Sequence, residues 1–293
     1  MIDYKAIAAL QAIIETQSFE SAADKLFITQ SAISQRIKSL ESYHGEPLLI
    51  RALPYRATKL GESLLGHYNR VRILEQSLKT QRANNPMQRI AVAVSRDNLE
   101  TWFMSVILQL KKISPMTIEI IADDQEYTLE YLRKGIVSAC ASTAKNAISG
   151  CKSEWIGNFD YVLAATPEFK KKYFANKKSI QENLLTAPTI IFDNKDDLHK
   201  NYLKNSFGIT EPLTNYHVVP SVDGFRELTL AGYAYALIPE IDIQQDLKQK
   251  KLINLFPDKI CHMPLYWHTW TVDTELYNQF NELVVKTAKN LLK

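Results

Sequence analysis

Phe19-Glu20-Ser21-Ala22-Ala23-Asp24-Lys25-Leu26-Phe27-Ile28-Thr29-Gln30-Ser31-Ala32-Ile33-Ser34-Gln35-Arg36-Ile37-Lys38-Ser39-Leu40-Glu41 is the stretch whose reading decides the fold. Ser18 can cap a helix over Phe19–Leu26, and Thr29 can cap another over Gln30–His44 that ends at Gly45. The paired alanines Ala22-Ala23 let these two helices lie close together, and only Phe27-Ile28-Thr29 turn the corner between them. That is helix-turn-helix geometry. Upstream, Tyr4–Thr16 reads as a further helix with Ile7, Leu10, Ile13 and Ile14 on its inner face.

The helix opened by Gln30 sorts its residues by face. Ile33, Ile37 and Leu40 follow one another at i, i+4, i+7 and point to a core. Ser31, Ser34, Gln35 and Lys38 form the opposite stripe, with Gln30 at the tip and Arg36 as a further candidate. Hydroxyls, amides and cations are groups that base edges and phosphates accept in a major groove. A merely solvated face has the same period, but it does not account for a stripe free of Asp and Glu until Glu41. Next, Gly45 to Thr58 reads as an apolar strand, a tight turn carrying Arg51 and Arg56, and a return. Such a β-hairpin is a wing whose arginines would meet phosphates or the minor groove. Residues 1–57 are thus expected to form a winged helix-turn-helix DNA-binding domain.

Thr58 caps another helix, which stops at Asn84-Asn85-Pro86 because proline lacks a backbone donor and biases its predecessor away from helix. Leu60, Leu64, His67, Val71, Leu74 and Leu78 are spaced 4, 3, 4, 3, 4 along it, a heptad seam. A helix packed on its own domain shows the same pattern. A seam lying between two domains favours pairing, so residues 58–85 are expected to be a long linker and dimerisation helix.

Beyond it, strand and helix alternate. Strands are expected at 89–94, 116–121, 137–141, 161–165, 189–192, 216–219, 235–238 and 264–270, and helices at 98–112, 127–134, 167–173, 196–205, 224–231 and 274–292. This alternation argues for open, mostly parallel α/β sheets in two lobes over residues 86–293.

The bulk properties agree with a DNA-binding protein and exclude much else. The chain has 293 residues, 46% hydrophobic and 23% charged, without the ~20 uninterrupted apolar residues of a membrane span. No basic stretch followed by an apolar core opens it, so a cytoplasmic location and no membrane partner are expected. Cys140, Cys151 and Cys261 are far apart and form no CxxC pair, which implies neither a disulfide framework nor a zinc site. Residues 1–82 carry 11 Lys+Arg against 8 Asp+Glu, so the whole net charge of +3 lies in the N-terminal part, as nucleic-acid contact would require. GxGxxG, GxxxxGK, GxSxG and HExxH motifs are all missing, and the histidines are scattered. No cofactor, no metal and no catalytic residue is expected, and the chain is read as no enzyme.

The quoted residues carry a family resemblance. Phe19–Leu26, Ile28–Glu41, Pro47-Leu48-Leu49-Ile50-Arg51 and Thr58-Lys59-Leu60-Gly61 closely resemble the winged-helix signature of LysR-type transcriptional regulators, over nearly all of residues 4–65. Ser31 stands where many members have proline, and Leu49 where many have phenylalanine. More narrowly, Ile28-Thr29-Gln30-Ser31-Ala32, Pro47–Arg51, Pro54-Tyr55-Arg56-Ala57-Thr58 and Leu265-Tyr266-Trp267-His268 resemble the ArgP/LysG (IciA-type) branch, which regulates basic amino-acid export. The resemblance implies a homodimer through the linker helices, a homotetramer through the effector domains, and double-stranded promoter DNA as partner, with RNA polymerase a further expected one. It also implies a two-lobed effector domain like a periplasmic binding protein, with lobe 1 at about 87–162 plus 266–293 and lobe 2 at about 163–265.

In such α/β lobes, ligands sit beyond the carboxyl ends of strands, where helix N-termini offer free N–H groups. Ser95 and Asp97 follow the first strand, Asp123 the second and Ser142 the third. Ser221 and Asp223 hold the corresponding place in the other lobe, and Trp267 lies near the crossover. Hydroxyls and helix N-termini suit a carboxylate, while acidic side chains suit an ammonium or guanidinium. A basic amino acid, lysine or arginine, is the expected effector. A plain amino-acid-binding protein and an architectural, nucleoid-type DNA binder are the competing readings; the first leaves the N-terminal 82 residues unexplained, and the second the large α/β portion.

Overall fold

A computed structural model describes residues 2–80, 88–113, 116–175, 178–193 and 197–293, with the side chains of 76–80, 88, 112 and 126 outside that set. The expected helix stop at Asn84-Asn85-Pro86 and the seam position Leu78 lie outside the described residues and side chains. The winged helix comprises α1 (Tyr4–Thr16), α2 (Phe19–Leu26), α3 (Gln30–His44), β1 (Leu49–Ile50) and β2 (Arg56–Ala57), followed by α4 (Lys59–Thr80). Then come β3 (Gln88–Val94), α5 (Arg96–Asn98), a π turn over Leu99–Phe103, α6 (Met104–Gln109), β4 (Met116–Ala122), α7 (Gln125–Arg133) and β5 (Ala139–Ser142). The chain continues with β6 (Cys151–Ala165), α8 (Pro167–Phe174), α9 (Ile180–Thr186), β7 (Thr189–Ile191), α10 (Asp197–Phe207) and β8 (Tyr216–Val218). It closes with α11 (Val222–Leu230), β9 (Ala236–Pro239), α12 (Glu240–Lys248), β10 (Ile253–Asn254), β11 (Cys261–Trp270) and α13 (Glu275–Leu291).

Two compact units result. Unit 1 takes Met1–Ser95, Gln109–Glu154 and Tyr266–Glu282; unit 2 takes Arg96–Leu108, Trp155–Leu265 and Leu283–Lys293. The fold is an N-terminal winged helix-turn-helix, a linker helix and a two-lobed α/β portion.

Local chemistry sets the first three helices. The Asp3 carboxylate accepts from the Lys5 and Ala6 amides, Ser18 Oγ from Ser21 N–H and Thr29 Oγ1 from Ala32 N–H, each filling orphan donors at a helix start. Ile7, Leu10, Ile13, Ile33, Ile37 and Leu40 are buried together in one core, with Ala22 and Ala23 letting α2 approach. Each such large apolar side chain contributes about 1.5–3 kcal/mol on burial.

The wing is held from both sides. The Gln17 amide donates to Tyr55 O at 3.0 Å and accepts from Tyr55 N–H at 2.6 Å, tying the wing to the end of α1. On the other side, Glu41 Oε1 accepts from the Leu48 and Leu49 amides at 3.0 and 3.3 Å. Gly61 on α4 lies so near Leu48 that a Cβ there would overlap the Leu48 carbonyl oxygen.

The pairing seam is partly spent within the chain. Leu64 is buried in the winged-helix core, Leu60 packs against the same core, and His67 Nε2 meets Tyr4 OH at 3.0 Å. Both leucines, expected to face a partner helix, instead close their own domain, because the first turns of α4 lie across α1. Val71 is half-buried and Leu74 is 44% exposed.

In unit 1, β3 pairs in parallel with β4 and with β5, and β5 pairs antiparallel with β11. In unit 2, β6 pairs antiparallel with β9 and β10, while β7 pairs in parallel with β8. Three expectations shift. The helix at 98–112 is broken by the π turn, which brings the adjacent Trp102 and Phe103 both into the core, with Trp102 Nε1 donating to Asn98 Oδ1 at 2.7 Å. The strand at 161–165 begins ten residues earlier, at Cys151. The helices α9 and α12 have no counterpart in the sequence reading. No helix among the described residues is long and apolar enough to cross a membrane.

Gly61→Ala is expected to lower unfolding free energy by about 1–3 kcal/mol, as overpacking against fixed backbone does. Urea denaturation of the full chain reads this directly, and an unchanged midpoint would contradict the packing described.

Candidate functional site

On α3 the core face and the outer face separate cleanly. Ile33, Ile37 and Leu40 are buried, while Gln30, Ser31, Gln35 and Lys38 are exposed and Ser34 and Arg36 half-exposed. Thr29 Oγ1 and Ser31 Oγ lie 2.9 Å apart, so the capping hydroxyl also orients the first serine of the stripe. Arg56 is exposed on the wing strand β2.

The cations divide into two sets. Lys25 is paired with Glu15, and Arg51 Nη2 sits 3.2 Å from Glu41 Oε2. Among the described residues, Arg36, Lys38 and Arg56 form no ion pair with a carboxylate of the chain. Arg51 thus shares the carboxylate that also anchors the wing backbone.

The sequence-derived effector residues fall into both units. In unit 1 the parallel strands β3, β4 and β5 put Ser95, Asp123 and Ser142 at the same, carboxyl-terminal edge of the sheet. Ser95 Oγ accepts from Gln125 Nε2 at 3.5 Å, and Ser142 Oγ accepts from Ala144 N–H at 3.3 Å. Asp123 accepts from Tyr131 OH at 2.6 Å and from Asp124 N–H at 2.8 Å. That hydrogen bond holds the Tyr131 phenol protonated and pushes its pKa up to about 12. Trp267 departs from expectation: it is 2% exposed, packs against Phe280 and donates its indole N–H to Asn281 Oδ1 at 2.9 Å. β11 turns that face of the strand into the core of the unit.

In unit 2, Asp97 Oδ2 accepts from Tyr161 OH at 2.5 Å. Ser221 caps α11, accepting from Gly224 N–H at 3.1 Å, and Asp223 is exposed in the first turn of the same helix. Here the structure adds carboxylates that sequence reading passed over. Burial and then the nearby Asp223 and Asp242 raise the Glu100 pKa, against Arg96. Burial likewise raises Asp242, opposed by Arg226 and reinforced by Asp223 and Asp246. Asp242 Oδ2 has no hydrogen-bond partner among the described residues. Arg226 Nε donates to Asp246 Oδ2 at 2.8 Å, and that pairing is the chief cause of the raised Arg226 pKa. Glu100 lies in the π turn and Asp242 on the unforeseen α12; the only sequence signal for the latter was the acidic pair Glu240 and Asp242 directly after Pro239, as at a helix start. Among the described residues no group of three or more His, Cys, Asp or Glu could hold a metal ion.

The winged helix and the two α/β units are the architecture of a ligand-responsive transcription factor. Residues 4–62 match the bacterial regulatory helix-turn-helix protein family of the LysR type. With full-length relatives above a third identical, the chain belongs to the LysR family of DNA-binding transcriptional regulators. It is 36% identical to the HTH-type transcriptional regulator ArgP of Photobacterium profundum over 99% of this chain and 98% of that one. To the ArgP of Aeromonas salmonicida it is 37% identical, over 100% of this chain and 98% of that one. Among solved structures it is similar to ArgP from Mycobacterium tuberculosis, with TM-score 0.89, 28% identity and coverage of 100% and 99% of the two chains. It is also similar to full-length LysG from Corynebacterium glutamicum with bound effector Arg, with TM-score 0.83, 28% identity and complete coverage of both chains.

The raised pKa of Asp242 gives a signed expectation. A carboxyl that binds its proton more tightly when folded costs stability as pH rises through the unfolded value of 3.8 towards the folded one. Asp242→Asn is therefore expected to raise the melting temperature at pH 7, with the gain fading below about pH 3.8, where both states hold the proton. Scanning calorimetry across pH checks this; a variant less stable at pH 7 would show that the Arg226 attraction dominates instead.

Proposed function

We propose that this chain regulates transcription in response to a basic amino acid, arginine or lysine, and so controls amino-acid export or metabolism genes. The observation that carries this reading is the arginine effector of LysG, a chain matched along its whole length at 28% identity. The carboxylates of this chain support it: in unit 2, Asp223 and Asp242 help raise the Glu100 pKa and Asp223 helps raise that of Asp242, and a guanidinium or ammonium would relieve this repulsion. Ser95, Asp123 and Ser142 in unit 1, and Asp97 and Ser221 in unit 2, are the further proposed effector contacts.

On DNA, Gln30, Ser31, Ser34 and Gln35 would meet base edges, and Arg36, Lys38 and Arg56 phosphates. Arg51 would serve the wing's geometry first and a phosphate second, because Glu41 already engages it. Two chains would pair through the later turns of α4, around Val71, Leu74 and Leu78, placing two winged helices on half-sites one helical turn apart. A tetramer through the effector portions, a contact with RNA polymerase and a cytoplasmic location complete the proposal. The winged helix is left without a role if the chain only stores amino acids.

Isothermal calorimetry is expected to show arginine or lysine binding, weakened at least tenfold in Asp223→Ala. No heat from either amino acid would discard the effector class while leaving the regulator. Arg56→Ala is expected to lower the slope of log affinity against log salt by about 1. Arg51→Ala should lower it by less, and equal losses would count against the engagement of Arg51 by Glu41.

A further inference from the structure

The linker helix α4 is gripped from two sides, and the second grip lies on the sensing portion of unit 1. Leu60, Leu64 and His67 face the winged helix, as described. Glu62, Gly66 and Asn69, at i, i+4, i+7, form a stripe about 200° away around the helix. This stripe meets the segment that follows α7. Lys134 Nζ lies 3.2 Å from Glu62 Oε1, and Asn69 Nδ2 donates to Gly135 O at 2.6 Å. Gly135 has φ +72, and a Cβ on it would overlap the Gly66 backbone. Two glycines facing each other bring the helix backbone and the Gly135 turn into direct contact. Beyond them, a Cβ on Gly150 would overlap the Arg70 guanidinium, so α4 also touches the turn that opens β6.

The other end of α7 belongs to the candidate effector residues. Gln125, its first residue, donates to Ser95 Oγ, and Tyr131 in its last turns donates to Asp123 Oδ2. Thr128 Oγ1, buried midway, donates to Ala141 O at 2.7 Å and keeps the helix against β5. A nine-residue helix spans about 13 Å. One short, rigid rod therefore has Ser95 and Asp123 at one end and the linker helix at the other.

We infer that α7 is the strut that couples effector occupancy to the DNA-reading domain, with Asn69, Gly66 and Gly135 as its joint on α4. The inference rests on the proposed effector reading for the ligand that moves the strut. A ligand carboxylate taken by Ser95, or a cation taken by Asp123, competes with the Gln125 and Tyr131 hydrogen bonds and so displaces α7. The contact of Gly66 with Gly135 has no side chain to absorb that displacement, and α4 must follow. Because α4 also carries Leu60 and Leu64 of the winged-helix core, the winged helix moves with it. Asn69, Gly66 and Gly135 are positioning residues, since none touches effector or DNA.

Asn69→Ala and Glu62→Lys in the full-length protein test this, with Glu62→Lys/Lys134→Glu as the charge-exchanged control. Arginine affinity is read by calorimetry, and DNA affinity by fluorescence anisotropy on promoter DNA with and without saturating arginine. In the expected result, both single variants bind arginine within twofold of the parent but lose at least two thirds of the arginine-dependent change in DNA affinity, and the charge-exchanged pair regains most of it. Single variants that keep the full arginine response overturn the coupling. A parent protein indifferent to arginine refutes the effector reading alone. In that case the joint is judged by DNA affinity without ligand: a change of at least threefold in Asn69→Ala supports it, and an unchanged affinity overturns it.

Discussion

Leu64 and Leu65 lose nearly all of their solvent contact in the winged-helix core, and that burial fixes where the linker helix leaves the domain. The helical period does the rest. Once Leu60, Leu64 and His67 face the winged helix, Glu62, Gly66 and Asn69 must face elsewhere, and in unit 1 they face the turn after α7. Val71 and Leu74 lie on the same stripe as Leu60 and Leu64 but farther along the helix, and there they are half-buried and exposed. One amphipathic helix thus spends its first apolar residues on its own domain and leaves Leu74 largely exposed.

The winged helix makes a similar economy with charge. Glu41 takes two wing amides on one carboxylate oxygen and Arg51 on the other, so a single acidic residue on α3 orients the whole hairpin. Unpaired amides at a strand edge would otherwise be satisfied only by water. With Gln17 clamping Tyr55 from the opposite side, the wing keeps a fixed relation to the exposed stripe of α3. Arg36, Lys38 and Arg56 are left without carboxylate partners among the described residues, which is the condition a polyanion requires.

Legibility in the sequence follows the range of the forces. The three helices of the winged domain run between the residues that their caps dictate, because Ser18, Thr29 and Gly45 act within one turn of their own position. The alternation of strand and helix in the α/β portion is equally local. By contrast, residues 151–160 hold the polar run Lys152-Ser153-Glu154 and then Gly157-Asn158, without strand alternation, so they resemble a loop until β11 is available to pair. The π turn has no local signature either; it follows from the demand that both Trp102 and Phe103 be buried. For the effector residues, strand order correctly aligned Ser95, Asp123 and Ser142 along one sheet edge, yet it could not see that β11 turns Trp267 inward or that α12 brings Asp242 near Asp223.

By itself the sequence determined the winged helix, the linker helix, the α/β character of the remainder and the family, since caps, periodicity and signature residues are read along the chain. Tertiary structure alone decided which partner each polar group finds: Arg51 on Glu41, Tyr131 on Asp123, Tyr161 on Asp97 and Asn69 on Gly135. It also decided that half of a heptad seam closes its own domain. The reason is physical: a helix face states only that something apolar must cover it, and what covers it depends on how residues distant in sequence meet in the folded chain.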